Sequence, residues 1–165
     1  MRHALRTLPP AAALLLALAG PPAWSQEEPA RPPITIEEIV VEPARPAADT
    51  LCRLKVRLKN HGEQIGSQLG FDVTINGQEL IVYRNQLFMY PLEPGAESEL
   101  PLYNFWSTET SRPMPADGKL KLEISLREAR WFDISTDEEG VEVWQPIGPA
   151  EGLPAKRSLV VEMEK

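Results

Sequence analysis

Cysteine and histidine are scarce in this chain. One Cys and two His stand among 165 residues, with 17 Lys and Arg against 24 Asp and Glu, a formal net charge of −7. A single Cys excludes a disulfide framework within the chain and every multi-Cys zinc site. Two His leave almost no material for a His-based metal centre, and no cofactor is expected. The acidic balance argues against nucleic acid and anionic membrane as partners, since both need a basic footprint. No GxSxG, HExxH, glycine-rich phosphate loop or paired-carboxylate motif occurs, so no catalytic residue is nominated and a non-enzyme is expected. No window of a dozen residues carries a convincing helical period, and no internal repeat is found.

What is present begins with a leader. Arg2, His3 and Arg6 precede the apolar run Ala11–Ala19, which Gly20, Pro21 and Pro22 break; Ala23-Trp24-Ser25 then offers small residues for cleavage. This is the three-part layout of a secretory signal peptide over residues 1–25. The run is about half the ~20 residues that span a bilayer, so no membrane span is expected. No Cys follows the run to carry a lipid, and Arg2 and Arg6 are not adjacent as a twin-arginine signal requires. Cleavage leaves 140 residues with 15 basic and 24 acidic groups, net −9. The mature product is expected to be periplasmic or secreted.

Residues 26–33, QEEPARPP, read as a flexible Pro-rich tether, and 34–165 as one domain. The domain has period two almost throughout. Ile34–Glu42 is β-branched. In Leu51–Lys59, Cys52, Leu54, Val56 and Leu58 alternate with Arg53, Lys55, Arg57 and Lys59, which marks a strand with one buried and one wet face. Leu69–Ile75 alternates Phe71, Val73 and Ile75 against polar residues, and Asn76-Gly77 predicts a tight hairpin with a return strand over Glu79–Tyr83, continued over Gln86–Tyr90. Glu97–Phe105 is an edge strand because Pro101 interrupts it. Ser107–Gly118 is a loop. Lys119–Arg127 alternates again, with an extension over Glu128–Ile134; Asp133–Gly140 is an acidic turn, Val141–Trp144 a short strand, Pro146–Pro154 a loop and Ser158–Met163 a last strand. Seven to nine short strands with turns between them predict an all-β, antiparallel sandwich. Its core is expected from the rows Cys52–Leu58 and Leu120–Leu126.

The series Ile36-x-x-Ile39-x-Val41-x-Pro43, Leu54-x-Val56-x-Leu58-x-Asn60-x-Gly62 and Leu92-x-Pro94-Gly95 resembles the bacterial CARDB-like modules, over about Ile34 to Leu126. The resemblance implies an immunoglobulin-like, fibronectin-III-type β-sandwich. The chain departs from immunoglobulin hallmarks: Cys52 has no second Cys to face it, and Phe71 stands where a Trp is expected. Fold alone does not fix function. The expectation is an exported, non-catalytic binding or accessory module that recognises a protein or envelope partner through a sheet face or edge strand. The alternative is a carbohydrate-binding module.

Candidate residues each have a plainer reading. Tyr103, Trp106, Trp131 and Trp144 are the candidate binding aromatics, able to stack on a glycan or anchor a protein; core packing competes. Consecutive rings in Tyr103-Asn104-Phe105-Trp106 cannot all face inward, and Trp106 is the best outward candidate. Asp133-x-Ser135-x-Asp137-x-Glu139 has the every-other-residue oxygen spacing of a calcium loop, with Asp133, Asp137 and Glu139 as the candidate ligands, but Glu138 and Trp144 replace the Gly and Glu that such a loop needs, so a solvated turn is the plainer reading. Cys52 reads as a buried small hydrophobe, His61 as an exposed turn residue. The basic stripe Arg53–Lys59 is expected to pair with acids on neighbouring strands.

Overall fold

A computed structural model describes residues 31–107 and 117–164. The leader, most of the tether and most of the Ser107–Gly118 loop lie outside the described residues. Within them the chain is all-β, with no α-helix. It comprises β1 (Ile34–Glu42), β2 (Leu51–Asn60), β3 (Ile65–Ile75), β4 (Gln78–Glu79), β5 (Leu87–Phe88), β6 (Glu97–Pro101), β7 (Phe105–Trp106), β8 (Lys119–Thr136), β9 (Glu142–Pro149) and β10 (Ala155–Glu162). Every pairing is antiparallel. One sheet has the order β1-β2-β6, with β7 beside the start of β2. The other has the order β10-β8-β3-β4, with β5 against β3 and β9 against the far half of β8.

The core lies between these sheets, in a sandwich-like arrangement. Cys52, Leu54, Val56 and Leu58 from β2, and Leu120, Leu122, Ile124 and Leu126 from β8, are all buried to within 1%. Strict alternation in both strands puts these side chains inward and the charged ones in water. In β1 the inward set is Ile34, Ile36, Ile39 and Val41. The step of three residues from Ile36 to Ile39 breaks period two, and a bulge between Ile36 and Glu38 absorbs the extra residue. Asn76 and Gly77 both have positive φ, 51° and 76°, as the tight hairpin turn needs.

Three strand expectations are corrected. The return strand over Glu79–Tyr83 stops at Glu79; Ile81–Tyr83 is a 3-10 turn, and pairing with β3 resumes only at Leu87–Phe88. Tyr83 is buried to 1%, so its ring pulls the chain off the sheet edge. The Glu97–Phe105 strand is split, with β6 ending at Pro101 and β7 starting at Phe105. Pro146–Pro149 is strand rather than loop, opposite Phe132 and Arg130. It sits on an edge, where a missing N–H costs no ladder bond.

Candidate functional site

The outer face of the β1-β2-β6 sheet is largely charge-compensated. Lys55 pairs with Glu42 at 3.1 Å and Glu99 at 3.2 Å, Arg57 with Glu38 at 2.7 Å, and Lys59 with Glu97 at 3.0 Å. Three of the four basic residues of the β2 stripe thus pair with acids on the neighbouring strands, as expected; Arg53 forms no ion pair among the described residues. Such exposed pairs contribute about 0–1 kcal/mol each. Their consequence is that this face offers a partner little uncompensated charge.

His61 is not an exposed turn residue. Its side chain is 20% exposed, and Nε2 lies 2.9 Å from Thr35 Oγ1 and 3.8 Å from Glu37 Oε1. A hydroxyl, an imidazole and a carboxylate therefore meet, which the sequence did not suggest. The geometry is not that of a relay, because Thr35 donates its proton to Glu37 and both groups crowd the same ring nitrogen. Burial, and then Arg31, hold the His61 ring below its ordinary pKa; the Thr35 hydroxyl holds the Glu37 carboxyl below its own. With His61 N–H donating to the Pro33 carbonyl at 2.8 Å, the trio clips the end of β2 to the start of β1.

Cys52 is fully buried, its Sγ 3.6 Å from the Thr50 carbonyl, and burial pushes its thiol pKa up. A thiol of that kind is packing, not a nucleophile.

Several apolar side chains reach water on the excursion between β4 and β6. Ile81 is 72% exposed, Val82 53%, Leu87 41% and Met89 69%, and Tyr103 beside them is 40% exposed. The segment is nonetheless firmly held. Tyr83 Oη donates to the Tyr103 carbonyl at 2.9 Å, and its ring stands 5.7 Å from Tyr103 and 6.5 Å from Phe88. Phe88 in turn meets Phe71 edge-on at 5.7 Å. Gln86 donates to the Tyr103 hydroxyl. Arg84 grips the Glu79 carboxylate through Nε at 3.0 Å and through a second guanidinium nitrogen. Arg127 Nη1 reaches from β8 to the Arg84 carbonyl at 2.9 Å and to Asp72 at 2.8 Å. Four apolar side chains are thus presented to solvent by a backbone that cannot readily fold them away. The stretch departs from the strand that its sequence predicts. One signal was available: Ile81 and Val82 are adjacent and cannot both point inward from a strand.

The aromatic candidates do not converge. Tyr103 belongs to the excursion. Trp106 is 47% exposed and pairs with Leu51 at the start of β2. Trp131 packs near the opposite end, against Gly62 and Gly66. A Cβ on Gly62 would lie 2.9 Å from the Trp131 ring, and one on Gly66 2.8 Å from the Ile34 side chain, so both positions require glycine by close approach. Since β2 has ten residues, the Trp106 and Trp131 sites lie roughly 30 Å apart. Trp144, 37% exposed, meets Phe132 edge-on at 5.9 Å. Of the calcium candidates, Asp137 turns Oδ1 onto the backbone N–H groups of Glu139 and Val141, at 2.9 and 2.8 Å, and so caps the β8–β9 turn. Among the described residues no three His, Cys, Asp or Glu side chains are grouped so as to hold a metal ion, and no helix is long and apolar enough to cross a membrane.

Compared with protein-family models, curated proteins and solved structures, the chain shows no match.

Proposed function

We propose that this chain is an exported, non-catalytic binding or accessory module of immunoglobulin-like, fibronectin-III type that docks a protein or envelope partner through the Ile81–Met89 excursion. The observation that carries the reading is the exposure of Ile81, Val82, Leu87 and Met89 on a segment anchored by a fully buried Tyr83. Isolated apolar side chains at a surface are ordinary, but a contiguous apolar patch marks an interaction site. Holding the patch in shape before binding lowers the ordering cost of association.

The fold half of the proposal rests on strand order. Reading β1-β2-β6 against β10-β8-β3-β4 as strands A-B-E against G-F-C-C′ supports such a sandwich, and the stretches that resemble CARDB-like modules lie in β1, β2 and the turn before β6. Export rests on the leader at residues 1–25. The glycan alternative gains nothing from aromatics placed at separate sites.

The test is affinity capture from the native envelope fraction, with the mature chain and with Ile81→Ser/Val82→Ser/Leu87→Ser/Met89→Ser as paired baits. The proposal expects a partner retained by the first and lost by the second, both folded by circular dichroism. Equal capture by both baits, or capture by neither, overturns it.

A further inference from the structure

The acidity of this chain is unevenly placed. On the β1-β2-β6 sheet Glu38, Glu42, Glu97 and Glu99 all have basic partners. At the end of the molecule where β3 begins, the opposite holds. Pairing of β3 with β8 stops at Ile65–Phe132, yet β8 and β9 run on together through four more rungs, from Asp133–Gln145 to Thr136–Glu142. These rungs form a two-stranded ribbon extending roughly 13 Å past the sheet. It carries Asp133 and Glu142, with Asp137, Glu138 and Glu139 in its turn. At its root, Glu63 and Glu93 line the same shallow depression as Asp133. None of these seven carboxylates forms an ion pair among the described residues. Arg130 is the only basic residue between Glu128 and Glu151.

Apolar surface lies within this acidic frame. Ile65, Phe132, Ile134 and Ile147 line the depression. Ile147 is 52% exposed, Val141 56% and Trp144 37%. Isolated two-stranded ribbons are marginal in water; this one is held by the Phe132–Trp144 ring contact and the Asp137 cap. The carboxylates are spread too widely for three of them to share a metal ion.

We infer that the β8–β9 ribbon and the depression at its root form a second docking surface, whose occupant is a basic, extended segment of a partner protein with apolar residues between its Lys and Arg. Uncompensated negative charge steers and orients a cationic segment, and the apolar floor takes the side chains between its charges. Pro146 and Pro149 interrupt the free edge of β9 by lacking N–H groups, so recognition goes through side chains rather than a continuous added strand. This surface is separate from the Ile81–Met89 excursion: Glu79, where that excursion starts, pairs with Thr74, nine residues along β3 from Ile65.

The experiment titrates the mature chain with a synthetic peptide of alternating lysine and isoleucine, reading tryptophan fluorescence and backbone NMR shifts. The inference expects saturable binding with shifts confined to the ribbon and its root, weakened by raised salt but not abolished. Glu138→Gln/Glu139→Gln/Glu142→Gln should weaken it about tenfold or more, while Glu38→Gln/Glu42→Gln/Glu99→Gln, equal in charge lost, should not. Equal loss in both variants shows diffuse charge attraction and overturns the inference, as does absence of binding. Calcium alone producing the same shifts overturns it in favour of an ion site. The four-serine excursion variant should bind the peptide normally, so failure here and failure of the proposed function are told apart.

Discussion

The excursion between β4 and β6 juxtaposes side chains that should behave in opposite ways. Tyr83 is 1% exposed; Ile81 and Met89 are 72% and 69% exposed. Truncating a buried aromatic costs about 3–5 kcal/mol, and Tyr83→Ala also loses the Oη hydrogen bond to the Tyr103 carbonyl. With a urea slope of about 2 kcal/mol per molar, its unfolding midpoint should fall by roughly 2 M. A chain of this size has about 5–15 kcal/mol in total, so Tyr83→Ala should remain folded only under mild conditions. Ile81→Ser and Met89→Ser, within a few residues of it, remove little buried surface and should each stay within about 0.5 kcal/mol of the parent. Equilibrium urea unfolding followed by far-ultraviolet circular dichroism measures all three. Costs above about 2 kcal/mol for the exposed pair would show that these side chains hold the fold together, and the docking surface would lose its basis.

Stability should also fall on acidification. The folded state lowers the pKa of both His61, chiefly by burial, and Glu37, chiefly through the Thr35 hydroxyl. Lowered values favour the unprotonated forms, so their contribution is complete above the ordinary His value of 6.5 and is lost as pH falls through it, with a second loss below 4.5. Thermal melts from pH 8 to pH 4 should show the first step in the parent and not in His61→Gln. Asn60, fully buried, donates to the Gln64 and Leu92 carbonyls and accepts from Gly62 N–H. Asn60→Asp keeps its shape but takes the donor from the Gln64 carbonyl and leaves the Leu92 carbonyl with the Gly66 N–H alone, at a cost of about 1–3 kcal/mol; an unchanged urea midpoint would refute that wiring. The proposed export predicts that mass analysis of the protein from its native cells gives a chain beginning at Gln26; a chain that keeps residues 1–25 would refute it.

Much of this fold was legible because period two has a single meaning. The alternation in Leu51–Lys59 and Lys119–Arg127 assigned both core rows, and Asn76-Gly77 located its turn because few residue pairs accept two positive φ values. Even the β1 bulge is readable, in the three-residue step from Ile36 to Ile39. The excursion was not, because Leu80–Tyr83 is apolar at every position and carries no period. Its path is decided by where the Tyr83 ring finds Phe88 and Tyr103, contacts 5 and 20 residues distant. The second half of β9 is hidden in the sequence because Pro146 and Pro149 read as breakers, a rule that fails on a sheet edge. Trp106 was found by elimination among consecutive rings. The seven unpaired carboxylates were beyond reach, since pairing depends on neighbours in space that strand order alone determines.

Site-specific photo-cross-linking in the native cell tests the docking role of the excursion most directly. A benzophenone side chain introduced at Met89 should yield a discrete covalent adduct with a partner, reduced when Ile81, Val82 and Leu87 are serine. The same probe at Arg57, on the charge-compensated face, should yield none. Adducts of equal strength from both positions, or none from Met89, would contradict the account.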